Sequence, residues 1–409
     1  MALLVGLLLL AARALRSHAA APTLRTRVVA APNATELSEA QLRRQPFGGQ
    51  PCLQGRHCRP SFLIIGVGKC GTSSLYYYLT AHPSVEGASQ KQLQWFDHAY
   101  QKTQFESGYL SKFPRKLSRG FMTGESSPGY VAYSFVPPRV SQHLGAPRGG
   151  GGGARYLAVV RDPADRAYSS YHYNYKMAHK TAALPFFTLV DAEIRLLEKC
   201  FAADRTDPAK GRCPDSSPDA LCRHDLSEDC YNRHTVREQV GTEAAELFGN
   251  GAAAATAPAN AHLWRQLVGR SLYATYLEWW YATFDAEDML LVCLEDLFSL
   301  DAASAEMDRV SAFLALPAFD FGSVLGGKFN AGDSHAGYGA VTPWDAAPST
   351  ARPPPEQRAV DLVTHFAQPF NERLFDLAGH RCPWRTQAAN ETPANARRLR
   401  GRKRRDKAT

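Results

Sequence analysis

The 409-residue sequence has no N-terminal run long enough to cross a bilayer, no cysteine pair at C-x2-C spacing, no repeat of solenoid length, and little charge excess outside one segment. Each absence narrows the reading. The apolar run Ala2–Ala12, followed by Arg13, Arg16 and small residues, falls short of the roughly 20 residues of a membrane helix. Residues 1–20 read as a secretory signal peptide, with a short signal anchor, and so membrane association through the N terminus, as the alternative. Among the nine cysteines, Cys200, Cys213, Cys222 and Cys230 form one cluster whose spacings suit local disulfides better than zinc, and no metal is expected. The formal charge of +8 is concentrated in residues 397–409, where eight Arg or Lys face one Asp. The body is therefore nearly neutral, and nucleic acid is not an expected partner.

What is present is a globular composition, 44% hydrophobic, in alternating strand and helix patterns. That alternation predicts an α/β fold with a mainly parallel, P-loop-like sheet flanked by helices. Residues 21–60 read as a stem and 61–385 as the main domain, with a cysteine-bearing insertion over about 185–262. Residues 386–409 read as a basic, disordered tail. The sequons at Asn33 and Asn390 fit luminal exposure. Cys52 and Cys58 are close enough to bridge, Cys70 and Cys293 are expected to be free and buried, and several partners are open to Cys382.

The stretch "FLIIGVGKCGTSSLYYYL", residues 62–79, reads as a buried strand, a glycine turn and a helix. Gly66 and Gly71 have the separation of a triphosphate-binding loop, but Lys69 lies between them rather than after the second glycine, and no hydroxyl stands immediately after it to hold magnesium. Backbone amides of 66–72, the helix start and Lys69 would cradle an anion less charged than a triphosphate, and a phosphosulfate fits. In "ARYLAVVRDPADRAYSSYHYNY", residues 154–175, Arg161 follows a second strand, Asp162 suits an N-cap and Pro163 the first helical position. Arg161 and Ser169 are the residue types that hold a separate phosphate.

These two motifs resemble those of the sulfotransferases that use 3′-phosphoadenosine 5′-phosphosulfate, and within them the luminal carbohydrate branch typified by heparan sulfate sulfotransferases. The resemblance spans about residues 61–385. It implies that Lys69, Cys70, Gly71, Thr72 and Ser73 form the 5′-phosphosulfate loop and that Arg161 and Ser169 bind the 3′-phosphate. Residues 271–297 resemble the family's amphipathic helix and following strand, and 366–379 its C-terminal helix. The segment "GGKFNAGDSHAGYG", residues 326–339, corresponds to a cofactor-covering loop, which makes Lys328, His335 and Tyr338 candidate contacts. The implied acceptor is a glycan, such as a polysaccharide or proteoglycan, and the implied location is the Golgi lumen.

The acceptor side departs from the family pattern. A stretch like K-E-x-H-F-F-D usually supplies a glutamate base, but here it is "KQLQWFD", residues 91–97, with Gln92 and Gln94 in place of the glutamate and histidine. A carboxamide cannot serve as a general base near neutral pH. Ser126, in "GESSPGY", also replaces a common lysine. Glu125 and His172 are replacement candidates, with Glu86 behind them; each also has a purely structural reading. The other routes are a proton accepted by water, or a homologue that binds nucleotide or glycan without catalysis. Tyrosyl-protein and small-molecule acceptors stay open, whereas a P-loop kinase is disfavoured by the missing hydroxyl.

Overall fold

In the computed structural model, residues 37–52, 56–145, 152–175, 185–206, 267–299, 301–325, 327–329, 341–343 and 354–386 are described. The expected signal segment, both sequons, Cys213, Cys222, Cys230 and the basic tail from residue 387 lie outside them.

Five parallel strands form the central sheet: β1 (Phe62–Gly66), β2 (Val85–Gly87), β3 (Met122–Ser126), β4 (Arg155–Val160) and β5 (Met289–Cys293). Their spatial order is β2-β3-β1-β4-β5. Every residue of β1 and β3 is buried, as is all of β4 after Arg155. Such continuous apolar runs belong to strands covered on both faces. The helices between strands are α2 (Thr72–Ala81), α3 (Val136–Leu144), α4 (Pro163–Ser170), α5 (Phe186–Thr206) and α6 (Tyr273–Thr283), and α7 (Ala303–Leu314) and α8 (Gln357–Ala378) follow the last strand. A small antiparallel pair, β6 (Gly327–Phe329) and β7 (Val341–Pro343), stands apart from the sheet.

The strand order fixes where a ligand belongs. β1 lies between β3 and β4, so the connection leaving β1 proceeds toward one edge and the later chain returns to build the other. Open α/β sheets bind ligands outside the carboxyl ends of the strands at such a switch point. The turns carrying Lys69 and Arg161 follow the two adjacent strands that flank it.

Three features depart from the sequence reading. The end of the expected stem is folded: helix α1 (Glu39–Arg44) starts at a Ser38–Gln41 capping box, Leu42 is buried, and Gln45 Nε2 donates to the carbonyls of Gly120 (3.2 Å) and Ala315 (3.0 Å). The expected insertion starts later than residue 185, because α5 places Leu189, Val190, Ile194 and Leu197 in a second core shared with α4 and α8. Glu193 joins both sides of the segment by accepting from the amides of Val268 (3.0 Å) and Gly269 (2.8 Å). Finally, Cys293 is not a free thiol. It ends β5 at the carboxyl edge of the sheet, where the chain returning from α8 brings Cys382 to a Cα separation of 5.6 Å, and the two form a disulfide. Cys52 and Cys58 form the other described disulfide, and among the described residues Cys70 is a free, buried cysteine.

Candidate active site

The turn after β1 takes left-handed backbone at Lys69 (φ 76) and Gly71 (φ 85). Gly71 also lacks room for a side chain, since a Cβ would lie 2.3 Å from Leu294 Cδ1. As the N-cap of α2 it offers no side-chain acceptor to the first-turn amides. Those N–H groups and the positive end of the helix are thus left to an anion. Thr72 and Ser73 open the helix and are buried; Lys69 Nζ lies 3.7 Å from the ring centroid of the exposed Tyr173. Cys70 is a packing residue: its sulfur contacts Tyr273 Oη at 3.7 Å, and burial pushes its thiol up to about 11.

The turn after β4 is built as its sequence indicates. Asp162 caps α4 by accepting from the amides of Ala164 (2.9 Å) and Asp165 (3.2 Å), and Pro163 takes the first turn. Arg161 and Ser169 are half-buried, and the Arg161 carbonyl accepts from Tyr273 Oη at 2.7 Å. Sequence reasoning missed Arg166, which lies within the same motif. Fully buried, it donates from Nε to the Gly68 carbonyl (3.1 Å) and from Nη1 to the Leu267 carbonyl (3.0 Å), bracing α4 against the turn after β1.

On the acceptor side, Glu125 is completely buried and surrounded by donors. Oε1 accepts from Tyr109 (3.0 Å) and Tyr130 (2.8 Å), and Oε2 from Ser127 Oγ (2.6 Å) and the Leu93 amide (3.3 Å). Burial pushes its carboxyl up to about 7 against these hydrogen bonds, and burial drives the nearby Lys91 ammonium down to about 8 against the pull of Glu125. This cage fastens the 91–97 loop to β3. Gln92 is half-buried and Gln94 exposed, while Ser126 Oγ donates to the Thr72 carbonyl (3.5 Å), linking this side to the donor loop. His172 is buried against the rings of Tyr168 (4.5 Å) and Tyr171 (5.3 Å); Glu86 is exposed on β2. Asp97 closes the loop, its carboxylate fully covered, with Oδ1 accepting the His98 amide (2.8 Å) and Oδ2 3.8 Å from His98 Nε2. Its signal was the last letter of the "KQLQWFD" stretch.

Lys328 lies in β6, paired with Thr342; His335 and Tyr338 fall outside the described residues. Among the described residues, the one grouping with metal-ligand geometry is Cys293, Asp296 and His380, with ligand atoms within 4.8 Å. Its sulfur is held in the disulfide with Cys382 and offers no thiolate.

Two glycine- and arginine-bearing turns thus lie side by side at the switch point of a parallel sheet, and a family model described as the sulfotransferase domain matches residues 59–320. The chain belongs to that family. It is similar to the membrane-associated sulfotransferase kil1 of Dictyostelium discoideum, at 22% identity over 80% of this chain and 67% of that one. Human carbohydrate sulfotransferase 15 is 25% identical over 84% of this chain and 59% of its own. For human heparan sulfate glucosamine 3-O-sulfotransferase 3A1 the figures are 25%, 81% and 64%. The matches thus cover about two thirds or less of these relatives' own length. Among solved structures, a sulfotransferase from Alicyclobacillus acidocaldarius aligns over 80% of this chain and 98% of its own at 18% identity, with a TM-score of 0.44. Among the described residues no helix is long and apolar enough to cross a membrane.

Proposed function

We propose that the protein transfers a sulfonate group from 3′-phosphoadenosine 5′-phosphosulfate to a hydroxyl, or less readily an amine, of a glycan. The observation that carries this reading is the placement of Lys69 and Arg161 on the turns after β1 and β4, the two strands at the switch point. The residues fit the donor: an uncapped helix start and Lys69 suit its phosphosulfate, and Arg161 with Ser169, on the neighbouring turn, suits its 3′-phosphate. The acceptor class is supported by the names of the carbohydrate and heparan sulfate relatives, and by the sequence features of a secretory, Golgi-luminal protein.

In this mechanism the bond between sulfur and the bridging phosphate oxygen breaks as the acceptor oxygen bonds to sulfur. Lys69 and the amides at the start of α2 stabilise the charge that develops on the departing phosphate. Arg161 and Ser169 hold the other end of the nucleotide, so that orientation is set before reaction. The acceptor proton does not go to Gln92, which has no basic site. Glu125 accepts four hydrogen bonds and acts by holding the 91–97 loop. In this reading the proton passes to water, with His172 the remaining side-chain candidate for a base. A catalytically impaired binding homologue is the second reading, favoured by the glutamines at positions 92 and 94.

The test is transfer of radiolabelled sulfate from the donor to a panel of desulfated glycans, tyrosine peptides and phenols, with chelator present. Labelled glycan that disappears with Lys69→Ala supports the proposal. Label only on peptides or phenols reassigns the acceptor, and nucleotide binding with no transfer to any acceptor selects the second reading.

A further inference from the structure

The turn given to the 3′-phosphate has an electrostatic difficulty. Asp162 follows Arg161 directly and Asp165 lies in the first turn of α4, and Glu295 Oε1 accepts the Asp162 amide at 2.8 Å. Asp162 and Asp165 favour the start of α4, where negative charge complements the helix dipole. The same charges oppose a phosphate dianion bound beside them. The structure brings a counter-charge from more than 200 residues away. Arg385, which follows α8 and Cys382, donates from Nη1 to Asp162 Oδ1 (3.1 Å) and from its backbone amide to Asp162 Oδ2 (3.3 Å). Its Nη2 meets both oxygens of Asp165 at 2.9 Å.

The segment carrying Arg385 is fixed on its other side. Trp384 Nε1 donates to Glu295 Oε2 (3.0 Å), its ring packs against Tyr273 and Phe375, and Cys382 is tied to Cys293 at the end of β5. Tyr273 in turn holds the Arg161 carbonyl. The strap 382–385 thus reaches Arg161 through two independent chains of contacts, one through the capping aspartates and one through Trp384 and Tyr273.

We infer that Arg385 is a positioning residue of the donor site: by neutralising Asp162 and Asp165 it lets the turn after β4 accept a 3′-phosphate. This rests on the donor reading above. A structural prop alone would stabilise the fold without regard to which phosphates a nucleotide carries. A charge partner of the 3′-phosphate turn affects selectively those ligands that carry that phosphate. The Arg385 side chain is 48% exposed, so replacing it leaves no buried cavity.

The experiment is calorimetric titration of the full chain with adenosine 3′,5′-bisphosphate and with adenosine 5′-monophosphate, which lacks the 3′ group. Arg385→Ala should weaken the bisphosphate about tenfold and leave the monophosphate within about twofold, the scale on which charge partners at a binding site act. Arg385→Lys should recover most of that loss, because it restores the charge without the fork. Should the alanine variant not fold, Arg385→Gln carries the same expectation with its length and hydrogen bonding largely kept. Equal weakening of both nucleotides, or no weakening of either, overturns the inference. A wild-type chain that shows no preference for the bisphosphate overturns the donor reading itself, and the inference with it.

Discussion

Lys69 and Glu125 show how far a residue's type determines its job. Lys69 sits on a left-handed turn with its ammonium against the exposed Tyr173 ring, and the proposed mechanism gives it the charge of the leaving group. Removing such a group typically costs about 10²- to 10³-fold in kcat. Lys69→Ala should therefore lower kcat on that scale while weakening adenosine 3′,5′-bisphosphate less than tenfold, as measured by steady-state kinetics beside calorimetry. The placement of Lys69 on the turn after β1 was legible in the sequence because its whole context is contiguous. The role of Glu125 was not, since its donors come from residues 93, 109, 127 and 130 and meet only when the 91–97 loop docks on β3. Burial raises this carboxyl from its ordinary 4.5 to about 7. A raised carboxyl pKa means the folded state holds the proton more tightly than the unfolded one, so its contribution to stability is present below pH 4.5 and is lost as pH rises through about 7. Lys91, lowered from 10.5 to about 8, acts in a higher window, its contribution present above pH 10.5 and lost as pH falls through about 8. Glu125→Gln should consequently flatten the fall in melting temperature between pH 5 and 7, whatever constant offset the lost hydrogen bonds add. An unchanged slope would mean that Glu125 is ionised at the same pH in both states.

Among the elements, the strands and helices that read clearly were those with contiguous signals. β1 and β4 are unbroken apolar runs, and the Asp-Pro start of α4 is visible in the sequence. Helix α5 was hidden in what reads as an insertion, because its partners, α4 and α8, are remote along the chain. The turn between β1 and α2 gives a contrast between two glycines two residues after and five residues after Gly66. At Gly68 a Cβ would meet nothing within 4 Å, whereas at Gly71 it would require both left-handed backbone and movement of Leu294. Gly71→Ala should destabilise the fold by about 1–2 kcal/mol, and Gly68→Ala by a few tenths at most, in parallel denaturant titrations. The Cys293–Cys382 link is the longest covalent closure among the described residues, its ends separated by 89 in sequence. It was missed because a cysteine at the end of a buried strand looks the same in sequence whether or not the chain returns to it. Replacing both cysteines by alanine should lower unfolding free energy by about 2–5 kcal/mol in nonreducing denaturant titrations.

Across the whole molecule, a parallel α/β sheet was legible because strand and helix patterns alternate, but the order β2-β3-β1-β4-β5 was not, since pattern alone does not say which strands are neighbours. That order matters most for function. It makes β1 and β4 adjacent, with Phe62 opposite Arg155 and Gly66 opposite Ala158, so the turns that follow them, nearly a hundred residues apart in sequence, come from neighbouring strands. A donor nucleotide would bridge those turns, and through Arg166 and the Gly68 carbonyl the two are already mechanically joined. Anything that binds only the folded state adds RT ln(1 + [L]/Kd) to its stability, about 2.7 kcal/mol at a hundredfold excess over Kd. Adenosine 3′,5′-bisphosphate at that excess should thus raise the melting temperature by several degrees, since a chain of this size shifts by about 2–4 °C per kcal/mol or somewhat less. Arg161→Ala should remove most of the rise at the same ligand concentration, because it weakens binding itself, while Lys69→Ala should keep most of it. Loss of the thermal shift in both variants would show that the two turns bind as a single unit, and no shift in the wild type would mean that this sheet edge does not hold the nucleotide.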